Sequence, residues 1–185
     1  MLEDLVSDAK RRMEKSVEST RHEFQTVRTG RASAALLDRI QVDYYGTKTP
    51  LNQIASINVP EPRMLVVTPF DKNAMRDIER AILESDLGLN PSNDGKLIRL
   101  PIPALTEERR KELVKVARGL AEEGKVALRN IRRDTMHDLR ELRDAGEAGS
   151  DDEHRAEEAL QKLTDEKVKE LDALLKAKEE EILEV

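Results

Sequence analysis

Residues 85–113, "SDLGLNPSNDGKLIRLPIPALTEERRKEL", decide how the chain is organised, because proline stops partway along them. Pro91, Pro101 and Pro103 come first, and none follows from Ala104 onward. Upstream, Pro50, Pro60, Pro62 and Pro69 complete a set of seven, all between positions 50 and 103. A proline inside a helix costs about 3 kcal/mol, since it removes an N–H and its ring clashes with the preceding turn. Proline-free flanks around a proline-rich centre therefore predict long helices on both sides of a small, largely non-helical domain.

The flanks read as helices independently. Leu2, Leu5, Val6, Ala9, Met13, Val17, Phe24 and Val27 recur at three- and four-residue steps until Gly30, which the pattern makes a left-handed helix cap. After Pro103, Thr106 is the expected N-cap of a second helix, with Glu107 and Glu108 in its first turn and Leu113, Leu120, Leu128, Ile131, Leu139 and Leu142 on its apolar side. Gly146 and Gly149 end it. Ser150 with Glu153 reads as a capping box opening a third helix, whose stripe is Ala156, Leu160, Leu163, Val168, Leu171, Leu175 and Ile182. Three such stripes bury one another as a bundle, and a middle helix of about 38 residues would make it a rod roughly 57 Å long.

The centre is mixed. "RIQVDYYG", "IASINV" and "MLVVTPF" read as strands, and "KLIRLPIP" as an edge strand that prolines keep open. "DKNAMRDIERAILESDLG" reads as a helix capped by Asp71 and closed by Gly88. The expected fold is α+β: an elongated three-helix bundle of residues 1–30 and 104–185, with a small α/β domain of residues 31–103 inserted. A hinge is expected at 29–31 and 103–106, on Thr29, Gly30, Arg31, Pro103 and Ala104.

Composition narrows the function. Aromatics are 2% of 185 residues, with no Trp and no Cys, which removes disulfides and thiolate metal sites. The N-terminal residues have no apolar run, so no signal peptide is expected, and no window reaches the ~18 apolar residues of a membrane span. A cytoplasmic, monomeric protein is the expectation. The net charge of −6 is unevenly placed. Segment 104–145 carries eleven bases against nine acids, whereas 146–185 carries six against fourteen.

On a helical wheel of the second helix, Lys111, Lys115, Arg118, Lys125, Arg129, Arg132, Arg133, Arg140 and Arg143 share one sector of roughly 120°. Acids and leucines take the other sides. A solvated face with ordinary ion pairs is the plain explanation. The sorting by sign favours instead a contact with phosphates, which the arginine fork suits. With so few aromatics, base stacking is not expected, and the contact would be to phosphate and sugar.

"VRTGRAS" (27–33), "VDYYGTKTPLNQIAS" (42–56), the stretch at 85–113 and "RNIRRD" (129–134) occur in this order and spacing. Together they resemble the bacterial ribosome recycling factor family, over essentially the whole chain. The resemblance implies an L shape like transfer RNA. It also implies a role in splitting the post-termination ribosome with elongation factor G, a GTPase, and no cofactor. It carries over Arg129, Arg132 and Arg133 as contacts to the rRNA of the large subunit, with Arg28 and Arg31 near the hinge. Arg118, Lys125 and Arg140 join them from the wheel.

Other sites carry less. "DDEH" (151–154) could be named a metal cluster, but acids at a helix start explain it. "NDGK" (93–96) lacks the rest of a phosphate loop and reads as a turn. His22, His137 and His154 have no nucleophile or paired base, so no enzyme is expected. Tyr44 and Tyr45 read as packing at a strand end, an exposed one being a partner contact. The alternative is a coiled-coil-like scaffold or chaperone that binds proteins through apolar seams.

Overall fold

The computed structural model describes residues 1–184. They form a mixed helix-and-sheet fold that is mostly helical. Two compact units result: Met1–Val27 with Val114–Glu180, and Arg28–Leu113 joined by residues 181–184.

The first unit is built from α1 (Leu2–Thr26), α4 (Glu107–Asp144) and α5 (Ser150–Leu183). Along α4 the buried positions Ala117, Ala121, Gly124, Leu128, Ile131 and Thr135 alternate steps of four and three, the seam period of a left-handed coiled coil. Ala9, Met13 and Val17 of α1 and Leu160, Leu163 and Leu171 of α5 pack against it in one core. At Gly124, α4 lies tight against side chains of both other helices. A Cβ there would stand 2.7 Å from Thr20 Oγ1 and 3.0 Å from Leu171 Cδ1. Ion pairs between α4 and α5 fall at Arg118–Glu179, Lys125–Asp172 and Arg140–Glu157, one partner rising in number as the other falls, so the two helices are antiparallel.

The order of charges along α5 explains why so charged a segment is helical. Asp151 precedes Arg155 by four residues, Glu158 precedes Lys162, Asp165 precedes Lys169 and Asp172 precedes Lys176. An acid one turn ahead of a base is the favourable order, worth about 0.2–0.5 kcal/mol per pair.

The second unit holds a hairpin of β1 (Gln41–Tyr44) and β2 (Thr47–Pro50), a single helical turn α2 (Leu51–Ile54), and a four-stranded antiparallel sheet. The sheet order is β3 (Ala55–Glu61), β4 (Met64–Pro69), β6 (Ile98–Pro101), β5 (Ser92–Asn93). Helix α3 (Met75–Glu84) buries Ile78 and Ile82 in the same core as Val42, Leu65, Val67, Ile98 and Leu100.

Four local expectations are corrected. Gly30 does not take the left-handed conformation. Helix α1 stops at Thr26, and Val27 leaves it extended, its N–H bonded to the Phe24 carbonyl. "KLIRLPIP" is not an edge strand, since β6 lies between β4 and β5. Its proline acts differently: β5 pairs only with Ile98 and Arg99, before Pro101, whose nitrogen has no hydrogen to donate. Helix α3 ends four residues ahead of Gly88, at Glu84. Finally, Ser150 lies inside α5 rather than capping it, with the Glu153 N–H bonded to Gly149 O at 2.9 Å. The Glu153 side chain turns into the bundle toward Arg143 at 3.5 Å.

Other expectations hold. Thr106 Oγ1 accepts the Arg109 N–H at 3.1 Å, and Asp71 Oδ1 accepts that of Asn73 at 2.9 Å, opening a 3-10 turn before α3. "NDGK" is a turn: Asp94 Oδ1 accepts the N–H groups of Lys96 and Leu97, each at 2.9 Å. Those bonds, led by Leu97, and Arg99 hold the Asp94 carboxyl down at about 2.

Candidate nucleic-acid interface

A surface that grips phosphates needs cations that its own carboxylates have not already neutralised. The nine cations of α4 divide on this criterion. Arg118, Lys125 and Arg140 pair with Glu179, Asp172 and Glu157 of α5 at 2.8, 2.6 and 3.0 Å. Arg143 pairs with Asp144 and Glu153. Arg129 reaches Glu122 on its own helix at 3.3 Å, and Lys111 reaches Glu107 at 3.7 Å. Among the described residues, Lys115, Arg132 and Arg133 have no carboxylate partner.

The gap at Arg132 has a cause. Arg118, Lys125 and Arg132 follow one another at seven-residue spacing, and so do Glu179, Asp172 and Asp165 on the antiparallel α5. That register sets Asp165 opposite Arg132. Asp165 Oδ1 instead accepts from Gln161 Nε2 at 2.9 Å, and the rung is left open. Arg132 is half-buried, while Arg129 and Arg133 are exposed beside it. Exposed ion pairs of the Arg129–Glu122 kind are worth no more than about 1 kcal/mol, so a phosphate competes readily for that guanidinium.

The pairing across α4 and α5 is what wheel reasoning on one helix misses. The signal was present in the sequence as two seven-residue series, cationic on α4 and acidic on α5. At the far end of the pair, Glu153 is buried beside Glu157. Hydrogen bonding to Glu157 and burial raise the Glu153 carboxyl above its ordinary range, while the same bond and Arg140 lower Glu157.

Arg28 and Arg31 have local work in the second unit. Arg28 Nη1 donates to the Leu87 carbonyl at 2.8 Å. Arg31 pairs with Glu184, which raises the guanidinium's affinity for its proton and lowers that of the carboxyl. Thr29 is buried, and its Oγ1 accepts the Arg31 N–H at 3.2 Å. The neighbouring chain passages are pinned to one turn: Ala32 N–H donates to Pro62 O at 2.6 Å, and Ile102 N–H donates to Arg63 O at 2.8 Å. The Arg63 guanidinium returns to Ile102 O at 3.2 Å. Pro103 and Ala104 are exposed.

The "DDEH" side chains diverge, Asp152 toward Arg155, Glu153 toward Arg143 and His154 toward Glu158. No group of three or more His, Asp or Glu able to hold a metal occurs among the described residues. No helix among them is long and apolar enough to cross a membrane.

The comparisons with known proteins converge. The family description "Ribosome recycling factor" matches residues 20–183. The ribosome-recycling factor of Rubrobacter xylanophilus is 59% identical over 180 residues, 97% of each chain. That of Bacillus subtilis is 55% identical over 185 residues, all of both chains. The solution structure of a ribosome recycling factor aligns with a TM-score of 0.77 at 43% identity, covering 100% of this chain and 98% of that one. A structure of the T. thermophilus ribosome recycling factor and the E. coli elongation factor G bound to the E. coli post-termination complex aligns at 0.69 and 49%, covering 99% of each chain. Sequence motifs, bundle and inserted sheet unit thus agree, and the chain belongs to the ribosome recycling factor family.

Proposed function

We propose that the chain binds the post-termination ribosome in the cytoplasm and, together with elongation factor G, drives its disassembly. The factor does no covalent chemistry; it grips and transmits movement. The grip is the outer side of α4, with Arg132, Arg133 and Arg129 on phosphates of large-subunit rRNA and Lys115 extending the line. The open rung at Arg132 is the observation that carries this: a cation placed within an ionic ladder, yet unpartnered. Arg118, Lys125 and Arg140 set the α4–α5 register and contribute field more than direct contact. The passages at 29–31 and 103–106 are where the two units would flex, with Thr29 and Arg31 moving as part of the smaller one.

Family membership decides against the scaffold reading. Arg132→Glu tests the proposal by co-sedimentation with large subunits over a salt series. The expected result is an affinity loss of about tenfold or more at low salt and a salt slope shallower by about one, with the helical circular dichroism unchanged. Parent-like binding across the series would overturn the docking role of α4.

A further inference from the structure

The chain contains a single Asp-Gly pair, Asp94–Gly95, and no Asn-Gly. The pair lies in the largely exposed loop 94–97 between β5 and β6, which the Asp94 N–H closes on the Leu97 carbonyl at 3.2 Å. The turn itself calls for both residues. Gly95 stands at φ 90°, where a side chain is strained. Asp94 Oδ1 is the acceptor for the Lys96 and Leu97 N–H groups.

The same pair is open to a covalent rearrangement. Glycine has no Cβ to hinder its amide nitrogen from attacking the side-chain carbonyl carbon of the preceding aspartic acid. The nitrogen gives up its proton, a C–N bond forms to Cγ, and the carboxyl hydroxyl leaves as water. A five-membered succinimide results. One water then adds back. Opening at Cγ restores aspartate, whereas opening at the Asp94 backbone carbonyl carbon leaves the chain running through Cβ and Cγ as isoaspartate. One water departs and one returns, and nothing is oxidised or reduced.

The folded turn opposes each requirement. The Gly95 N–H that must be lost donates to Asn93 Oδ1 at 2.6 Å. The carboxyl that must swing over Gly95 is held by Lys96 and Leu97 on Oδ1 and by the Arg99 guanidinium on Oδ2 at 2.9 Å. Hydroxide leaves readily only from the protonated acid. With Asp94 at about 2 when folded, against about 3.9 unfolded, that acid is scarcer by roughly a hundredfold at neutral pH. The restraint depends on a short element. Strand β5 has two residues at the edge of the sheet, paired only through Asn93–Ile98 and Ser92–Arg99. So small and exposed a segment opens at low cost, ahead of the rest of the unit.

We propose that Asp94–Gly95 is a covalent modification site, at which the hydrogen-bonded turn suppresses isoaspartate formation and local opening of β5 releases it. The product keeps its mass and charge but adds a methylene to the backbone of the loop. Asn93 and Ile98 then no longer meet in register, and β5 cannot re-form. The product also carries a free α-carboxylate, a handle for a methyl-transferring enzyme.

Full-length protein incubated at neutral pH below its melt tests this, with isoaspartate at position 94 measured by peptide mapping and electron-transfer fragmentation. The chain unfolded in urea should form it about tenfold faster or more than the folded chain. Asn93→Ala, which releases the Gly95 N–H, and Arg99→Ala, which releases Oδ2, should each raise the folded rate by about fivefold or more. In sub-denaturing urea the parent's rate should climb while the tyrosine band and the helical circular dichroism stay native. Equal rates in folded and unfolded parent, or folded variants that react at the parent's rate, would overturn suppression by the turn. A rate that stays flat until the whole unit melts would overturn release through β5. Absence of isoaspartate at 94 even in the unfolded chain would remove the site itself. Should either variant fail to fold, the urea series on the parent decides alone.

Discussion

The two units are held by different means. The bundle is periodic: a seam of apolar residues at three- and four-residue steps, with charges sorted around it. The small unit depends on individual positions: positive-φ residues at Tyr45, Gly46, Gly88 and Gly95, side-chain caps at Asp71 and Asp94, and both tyrosines. The bundle is therefore the sturdier platform for a long charged contact, since register along it averages over many residues. The small unit can hold a compact, strained feature because its sheet fixes the ends of each turn.

The contrast can be broken most directly in the cores. Leu128→Ala removes a fully buried side chain from the bundle seam and should cost about 3 kcal/mol. Both tyrosines lie in the small unit and there is no tryptophan, so the tyrosine band of the near-ultraviolet circular dichroism reports that unit alone. The far-ultraviolet melt, dominated by the bundle helices, should fall while the tyrosine signal melts where it did in the parent. A common shift in both would show that the units unfold as one.

Gly124→Ala is next. Its methyl would crowd Thr20 Oγ1 and Leu171 Cδ1, and overpacking of about 1–3 kcal/mol outweighs the helix-propensity gain of about 1 kcal/mol. A thermal melt should show a net loss that adding Thr20→Ala largely restores.

Glu153→Gln sharpens the electrostatic side. The folded Glu153 carboxyl is raised by Glu157 and burial, so its favourable contribution is present below the unfolded carboxyl range and is lost as pH rises through the folded value. The glutamine variant cannot lose that proton. Its melting midpoint should gain on the parent between about pH 4 and pH 7, where an unperturbed Glu titrates near 4.3. An advantage that shrinks over that range would reverse the assignment.

Asp94→Asn should be the mildest, and confined to the small unit. With Asp94 at about 2 when folded, its contribution is complete above the unfolded value of about 3.9 and disappears as pH falls through the folded one. The variant's deficit in the tyrosine-monitored midpoint should be present at pH 7 and vanish near pH 2.

What was legible in the residues follows the same division. Leu128, Leu139, Leu160 and Leu171 announced their burial by period alone, and proline marked out the insert. Strand β2, "TKTP", carries no aliphatic residue and is partly exposed, so alternation had nothing to display. Gly30 looked like a cap because glycine commonly is one, yet the tertiary path took Val27 into extended backbone first. At the basic face, the cations were readable from α4, but their neutralisation depended on Asp172, Glu179 and Glu157 across a helix pair. One local hydrogen bond, Gln161 to Asp165, distinguishes Arg132 from Arg118 and Lys125 in the same series, and no single-helix pattern reveals it.

The turn at Pro62 and Arg63 ties down both chain passages that bound the insert, at Ala32 and at Ile102. Once the sheet has formed, some seventy intervening residues behave toward the rest of the polypeptide as a tether only a few residues long. Closure entropy grows with the logarithm of loop length, so prior folding of the insert lowers the barrier for α1 to find α4. A protein whose helices are far apart in sequence thereby assembles as though they were neighbours.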